Sequence, residues 1–599
     1  MSKKFNKQFK VLFLLAGIFF MFGFFSFNTP KRETHLTVLD FYKKNLDSLN
    51  NTIIQFEKDA PTATNDRMKQ LFLEARLHYK KIEFIVEYHY PSSAQKLNGP
   101  VLIESEPSEP NEPQHPSGFQ VLEESVYDVL NDETRKEIIY ELSNINNRIN
   151  RLYTLLPELE LSESNILDAL KLNLYRLITK GITGFDSPVA LKSIDEAAAT
   201  LQSAREILSL FAGADPAVVT IEHALFFIKE SGNSFNEFNR AIFVAKNINL
   251  VCKTIYAYQV SSNIPFTNQR RAIAVTAQTL FDKEAFNPLF YAPSGTVTAT
   301  AQQIALGKKL FSEPLLSANG QRSCNSCHVP EKAFTDGLAL NEALIENKKL
   351  LRNTPTLLNA ALQPVQFYDS HIAFLEDQAH DVISNRQEMG GLFESITKQL
   401  MKNKLYRREF VAAYRADKIT TDNIKKALAA YVRSLIKMNS PFDRYMRGSD
   451  EAMNDEALKG FNLFMGKAKC GTCHFMPLFT GTVPPLYDKM ESEVLGIPAG
   501  ADTLHPVHDL DSGKYHLYNI PHQLYSFKTS TVRNAALTAP YMHNGVYQTL
   551  EEVIDFYNRG GGAGLGFQLP NQTLSPDKLN LNSLEKKQII AFISALTNN

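Results

Sequence analysis

A chain of 599 residues exceeds one ordinary domain, and roughly three or four domains is the expectation. Its 44% hydrophobic and 21% charged residues are an ordinary globular mixture, and a net charge of −1 gives no electrostatic case for a nucleic-acid or polyanionic partner. Tryptophan is absent and only five cysteines occur, so any clustering of cysteine carries information.

The N-terminus places Lys3, Lys4, Lys7 and Lys10 before an apolar run from Val11 to Phe27. This is the order of an export signal, and the positive flank directs the remainder outward, to the periplasm or the outer side of the inner membrane. Residues 1–28 are assigned to this segment. No Ala-x-Ala site or lipidation cysteine follows, so an uncleaved membrane tether is the alternative to a cleaved signal.

Residues 34–285 are rich in helix formers. Ile138, Leu142, Ile145, Ile149 and Leu152 alternate spacings of four and three, the apolar stripe of a bundle helix. Between Gly99 and Gly118, five prolines and four glutamates predict an exposed, mobile loop. Cys252 lies in a mostly apolar helical stretch and reads as a buried free thiol. Gly118, Gln120 and Glu123, with Tyr79 and Glu83 upstream, resemble the Gly-x-His-x-x-Glu signature of imelysin-like helical domains. Gln120 stands where that family has histidine, which puts an inherited metal site in doubt.

From Thr298 the pattern changes. "ALGKKLFSEPLLSANGQRSCNSCHVPEKAFTDG" and "ALKGFNLFMGKAKCGTCHFMPLFTG" form a weak internal repeat. Gly307 and Gly460 are each followed by Leu-Phe, then by Cys-x-x-Cys-His, then by Phe-Thr. The repeat predicts two small homologous domains, 298–455 and 456–599. Near the end, Leu584, Ile589, Phe592, Ile593 and Leu596 mark a helix with one apolar face.

The two motifs use Cys324, Cys327 and His328, and Cys470, Cys473 and His474. Two thiols one turn apart can reach the two vinyl groups of a porphyrin while the adjacent imidazole swings under the iron. A zinc site would want further clustered ligands, and a redox cysteine pair or a structural disulfide has no use for the repeated histidine. Two covalently bound c-type haems are therefore expected. The fold class read from these features is mainly α: an N-terminal helical bundle followed by two cytochrome c-type haem domains.

The ordered segments "LGKKLFSEPLLS", "CNSCH", "FTDG", "RNTPTLLNA", "FYDSHIAFLEDQA", "NRQEMG", "CGTCH", "TVRNAALTAPYMHNG" and "TLEEVIDFYNRGG" resemble the bacterial di-haem cytochrome c peroxidase and MauG superfamily. The resemblance runs from about Ala301 to Thr597. It implies that the haem on His328 is the peroxidatic one, with Gln378 and Glu388 as its distal pair. Reducing peroxide requires a proton to move between its two oxygens, and a carboxylate within reach can carry it. Burial there should raise the Glu388 pKa toward neutrality.

Conventional members block this haem at rest with a histidine in the following loop. The loop here, "FTDGLALNEALIENKKLLRNTP", has none, so an open peroxidatic haem is expected, with His371 as the one outside candidate for ligation. His380 also stands where the family has no ligand. At the second haem, the resemblance places Tyr557 where peroxidases have an axial methionine and MauG-type proteins have tyrosine; Met542 and Met476 are the other candidates. Tyr368 occupies the place of an electron-relaying tryptophan. The resemblance also implies a calcium ion held by Asn353, Thr538 and Pro540, whose oxygens suit a hard cation. "GGGAGLG" from Gly560 lacks the flanks of a phosphate loop and reads as a flexible turn.

The function expected is reduction of hydrogen peroxide to water, with electrons from a small cytochrome c or cupredoxin. The near alternative is a MauG-like oxidase storing oxidising equivalents on both haems and acting on a protein substrate. A third, from another class, is a non-catalytic electron-transfer or iron-uptake cytochrome.

Overall fold

The computed structural model describes residues 34–598 apart from 107, 108, 233 and 416. The expected leader at 1–28 lies outside the described residues, and among the described residues no helix is long and apolar enough to cross a membrane. The chain is mainly helical, as expected.

The first half is built of α1 (Thr34–Asp59), α2 (Asn65–His89), α3 (Pro91–Asn98), α4 (Phe119–Tyr127), α5 (Asp132–Leu155), α6 (Glu163–Thr179), α7 (Ser193–Leu208), α8 (Asp215–Glu230) and α9 (Asn249–Ser261). The α5 stripe is fully buried at all five expected positions. Its N-terminus is fixed by Asn131, whose side chain accepts from the Glu133 and Thr134 amides while Thr134 bonds back. Cys252 is a buried free thiol on α9. The proline-rich segment is more ordered than a mobile loop: β1 (Glu104–Glu106) pairs antiparallel with β2 (Glu109–Gln114). Prolines are tolerated there because a two-stranded ribbon consists only of edge strands.

Six buried or nearly buried side chains tie this half together electrostatically. Arg76 is clamped by both oxygens of Glu196, at 2.7 Å each. Lys80 meets Glu83 and Asp186 at 2.6 Å, and Arg176 bonds Asp186 at 2.6 and 2.8 Å. Tyr79, Glu83, Gln120 and Glu123, of the imelysin-like pattern, are buried around this network. Cations fill the positions between the carboxylates, and among the described residues no group of three or more His, Cys, Asp or Glu is arranged to hold a metal ion.

The second half contains α10 (Ala301–Phe311), α11 (Leu375–Ser384), α12 (Phe393–Lys402), α13 (Lys404–Tyr414), α14 (Thr421–Arg433), α15 (Pro441–Met446), α16 (Asp455–Phe464), α17 (Leu550–Asn558) and α18 (Ser583–Ala595). A short ribbon of β3 (Ser492–Val494) and β4 (Ser526–Lys528) lies between α16 and α17. The repeat seen in sequence is a repeat in packing: α10 crosses α14, and α16 crosses α18. At each crossing the repeated glycine touches backbone. A Cβ on Gly307 would lie 1.9 Å from the Ala427 carbonyl oxygen, and one on Gly460 would lie 1.9 Å from that of Gln588. On α18, Ile589, Phe592, Ile593 and Leu596 are buried as expected. Leu584 is instead 59% exposed, because it sits in the first turn and ahead of the crossing. The glycine run is likewise not a flexible turn: Gly561–Gly564 is a helical turn, and a Cβ on Gly562 would strike Gly496 at 2.6 Å.

Core continuity does not follow chain order. The lobe carrying the first Cys-x-x-Cys-His has its own apolar core of Leu306, Leu310, Ile383, Leu428 and neighbours. The lobe carrying the second motif shares one continuous core with the helical half. Phe281 meets Phe442 at 5.9 Å, Phe286 meets Tyr487 at 5.0 Å, and the Ala241 amide donates to Asn462 Oδ1 at 2.9 Å. Within the second lobe, the buried Arg533 forks onto Asp443 of α15 at 2.6 and 2.9 Å.

Because the α16–α18 crossing has no room for a methyl group, Gly460→Ala should destabilise the holoprotein by about 1–3 kcal/mol. Gly500, with nothing within 4 Å of its would-be Cβ, is the control. Thermal unfolding of the two alanine variants side by side checks this, with the melting temperature expected to drop for Gly460→Ala alone.

Candidate functional site

Each Cys-x-x-Cys-His forms a 3₁₀ turn, Cys324–Ser326 and Cys470–Thr472, in the loop that follows the glycine-bearing helix. The chain then doubles back in a tight loop, closed by Val329 pairing with Thr335 and Phe475 with Thr480. Phe334 and Phe479 sit at the same place in the two loops with positive φ of 61° and 50°. This turn puts the Phe334 carbonyl 2.9 Å from His328 Nδ1, which fixes that nitrogen and leaves Nε2 to the cavity. His474 is equally enclosed, but its Nδ1 is a buried polar atom without a hydrogen bond of regular geometry.

Burial lowers both imidazole pKa values, that of His474 to about 4, with backbone carbonyls offsetting part of the effect. Both rings are therefore neutral near pH 7, as a metal ligand must be. Burial also pushes the Cys324 and Cys470 thiols up to about 12 and Cys327 up to about 11, and raises Cys473 well above the usual thiol range. Such protonated, unpaired thiols do not suit a zinc tetrad or a nucleophilic redox pair. They do suit thiols that end as thioethers. The residues present fit two c-type haems.

The first motif opens on a narrow cleft. Cys324, Cys327 and His328 line it together with Gln378, from α11, and Glu388, from the loop after α11. The two distal candidates, ten residues apart in sequence, thus meet the haem motif in one cavity. Asn385 Nδ2 donates to Glu388 Oε1 at 2.8 Å and holds the carboxyl. Burial pushes the Glu388 pKa up to about 7, with the neighbouring Asp381 charge adding to the rise. Of the loop 334–355, Leu350 alone lines the cleft, and His328 is the only histidine among the lining residues. His371 lies elsewhere, stacked on Phe367 at 4.5 Å and bonded through Nδ1 to Asp369 at 2.5 Å. His380 is stacked on Phe393 at 5.0 Å, and it too is absent from the lining.

The second motif opens on a cavity of about 710 Å³, within the range of roughly 300–1,000 Å³ usual for cofactor sites. Cys470, Cys473, His474, Tyr557 and Met542 all line it. Met476 does not; it is fully buried in the core. Burial holds the Tyr557 phenol far above its usual pKa, so in the absence of a cation it keeps its proton. Tyr368 lines the same cavity, and its carbonyl accepts from the Lys528 amide of β4 at 2.6 Å. Asn353, Thr538 and Pro540 line it as well, while Asn353 Nδ2 donates to the Leu338 carbonyl at 2.7 Å.

Two features of this region escape sequence reading. The helical half supplies part of the second cavity's wall, including Val101, Gln120, Glu124, Phe185 and Phe235. Phe185 packs against Phe475, beside His474, at 5.9 Å. The other is an Asn-Ala-Ala-Leu repeat, at Asn359–Leu362 and Asn534–Leu537, with both asparagines in the left-handed region. Each asparagine ties its loop to the end of its lobe, Asn359 Oδ1 to the Lys437 amide and Asn534 Oδ1 to that of Asn598. The second copy is legible in the sequence once the first is noticed.

Two Cys-x-x-Cys-His motifs that each line a cavity in one helical chain, one cavity also lined by a carboxyl and an amide, fit a di-haem oxidoreductase. The profile of the family described as di-haem cytochrome c peroxidase matches residues 301–451. The cytochrome-c peroxidase IdrP1 of Pseudomonas sp. (strain SCT) is 33% identical over 349 residues, covering 54% of this chain and 89% of that protein. The methylamine utilization protein MauG of Methylorubrum extorquens is 31% identical over 300 residues, covering 50% of this chain and 78% of its own. Among solved structures, a MauG-like protein associated with microbial copper homeostasis matches 51% of this chain and 94% of its own at 26% identity, with a TM-score of 0.44. The chain belongs to the di-haem cytochrome c peroxidase and MauG family, a family of haem enzymes.

If all four motif cysteines form thioethers, the denatured exported protein should retain two haems per chain by mass spectrometry. Cys470→Ala with Cys473→Ala should retain one.

Proposed function

We propose that the protein reduces hydrogen peroxide to water at the haem held by His328, using electrons delivered through the haem held by His474 from a small one-electron redox protein. The overall change is one peroxide, two protons and two electrons to two waters. The observation that carries this reading is the shared cleft of His328, Gln378 and Glu388, with no second histidine in its lining. A non-catalytic electron carrier would have no use for a carboxyl and an amide on the open side of its haem.

The haem, when bound, supplies the iron that coordinates peroxide and passes it electrons. The chain's part is to position peroxide and move its proton. Glu388 in its carboxylate form accepts the proton from one peroxide oxygen and returns it to the departing one. Its pKa near 7 makes both transfers accessible at neutral pH. The Gln378 amide can donate to an oxygen in the cleft and orient it, while Asn385 keeps the Glu388 carboxyl from turning away. Tyr368, between the two motifs, is the proposed electron relay. Calcium at Asn353, Thr538 and Pro540 remains part of the proposal, as does placement of the reaction outside the cytoplasm through the N-terminal segment.

Tyr557 supports a second reading, a MauG-like oxidase acting on a protein substrate. A phenol lining the cavity of the second motif becomes a good ligand for ferric iron once a cation replaces its proton, and it favours oxidised states over reduced ones.

Glu388→Gln should lower kcat/KM for peroxide by about 10²- to 10⁴-fold while leaving haem content unchanged. In the unaltered protein kcat/KM should rise with pH through about 7, as Glu388 gains its basic form, and this step should vanish in the variant. Stopped-flow spectroscopy across pH measures both.

Tyr557→Phe should shift the spectrum and raise the reduction potential of the second haem, whereas Met542→Leu should leave both unchanged. Spectroelectrochemical titration of the two variants distinguishes phenolate from thioether ligation.

A further inference from the structure

Each turnover consumes two protons, and Glu388 can only pass on what reaches it. Asn385 and Arg322 are the polar neighbours at Glu388 itself: Asn385 bonds its carboxyl, and Arg322 donates to its carbonyl at 3.3 Å and to the Ala343 carbonyl at 2.9 Å. Neither gives up a proton near neutral pH. Besides Arg322, the charged groups that act on Glu388 are Asp381 and His371.

Asp381 lies on α11 three residues after Gln378, so the two share a helix face. Its carboxylate is 3.6 Å from His371 Nε2. His371 is fixed on its other side, with Nδ1 on Asp369 Oδ1 at 2.5 Å and the ring stacked on Phe367. Asp369 is anchored in turn. Arg352 bonds its other oxygen at 2.6 Å while also forking onto Asp511, and His516 Nε2 stands 3.5 Å away. The His371 residue is open to solvent, its side chain 28% exposed. The arrangement is a histidine aimed by one buried carboxylate, with its free nitrogen turned to a second carboxylate on the distal helix.

We propose that His371 is the proton-delivery residue of the peroxidatic site: its Nε2–H gives a proton to the Asp381 carboxylate, Asp381 passes it to the Glu388 carboxylate, and His371 takes a replacement from solvent. The proposal rests on Glu388 as the proton carrier. In each transfer the Nε2–H bond of the His371 imidazolium breaks, an O–H bond forms and breaks on Asp381, an O–H bond forms on Glu388, and the neutral imidazole is reprotonated from solvent; two such transfers supply the two protons of a turnover. The electrons still come from the one-electron donor protein. A histidine is the side chain suited to taking protons from solvent and releasing them near neutral pH. The hydrogen bond to Asp369, opposed in part by burial, raises the His371 pKa and extends that capacity upward in pH. His371 acts through Asp381 and Glu388, so it is a positioning and delivery residue, not a catalytic one.

The test compares His371→Gln, Asp381→Asn and Glu388→Gln in the haem-loaded protein, with ascorbate and a phenylenediamine mediator as electron source. For His371→Gln, turnover at pH 5.5 should stay within about twofold of the unaltered protein and fall about tenfold or more at pH 8, with added imidazole restoring the loss. Asp381→Asn should show the same alkaline loss without rescue by imidazole. Unchanged haem spectra establish that the variants are folded. A His371→Gln pH profile identical to that of the unaltered protein, alongside an inactive Glu388→Gln, overturns the delivery route and leaves the peroxidase reading standing. A loss equal at all pH values and insensitive to imidazole overturns it too, as a structural effect. A fully active Glu388→Gln overturns both.

Discussion

The contact on which both haem sites depend is a helix crossing with no side chain in it. At Gly307 and Gly460 the helix that precedes each Cys-x-x-Cys-His lies directly on the backbone of the lobe's last long helix, and even one methyl group would collide with a carbonyl. A close crossing of this kind fixes the axis of the first helix to a few tenths of an ångström. The motif follows ten residues after the contact at Gly460 and seventeen after the one at Gly307, where a further 3₁₀ turn at Pro314–Leu316 intervenes. The loop that follows completes the frame, since its left-handed phenylalanine turns a carbonyl toward the imidazole. The glycine crossing and the left-handed phenylalanine recur in both lobes, while the bond from a carbonyl to the imidazole is regular at His328 alone.

What differs between the lobes is their surroundings. The first lobe closes its own apolar core, and its cleft is finished by α11 and the loop after it, elements of the same lobe. The second lobe is continuous with the helical half, which supplies part of its cavity wall. The helical half is thus no loosely tethered appendage. Its own interior is stiffened by the network around Arg76, Lys80, Arg176 and Asp186. Buried ion pairs of this kind add little net stability, and removing one partner leaves an uncompensated charge in the core.

Much of this was legible in sequence, for identifiable reasons. The α5 stripe and the α18 face were correct because helical periodicity reports burial directly, and Leu584 failed because periodicity ignores where along a helix the neighbour begins. The pairing of Gln378 and Glu388 with the first motif followed from resemblance alone, because nothing local in "DQAHDVISNRQE" says that a helix and its following loop converge on a haem. The β1–β2 ribbon was missed because proline content argues against strands in general and not against edge strands. The shared core of the helical half and the second lobe was out of reach altogether. Apolar stripes say that a face is covered, not by which distant segment, and the Phe281–Phe442 and Phe286–Tyr487 contacts join residues about 160 to 200 positions apart.

The two cavities also divide the chemistry. The lining of the first includes a carboxyl and an amide along with its histidine, groups able to move and orient protons. The lining of the second includes a phenol along with its histidine, a group whose ionised form would stabilise high positive charge on a metal. In both, burial raises the pKa of an oxygen acid, but the consequences are opposite. For Glu388 the rise brings the proton equilibrium close to neutrality, where transfer in either direction is easy. For Tyr557 it carries the equilibrium far beyond neutrality, so that only a strong local cation can displace the proton. The same desolvation thus suits Glu388 to the proton traffic proposed for the first site and would make Tyr557 responsive to the charge of what the second site binds. Tyr368, which lines the second cavity and is partly buried with a raised pKa, could serve the proposed electron relay only if its own proton were accommodated. In that proposal electron flow is tied to protonation of the chain.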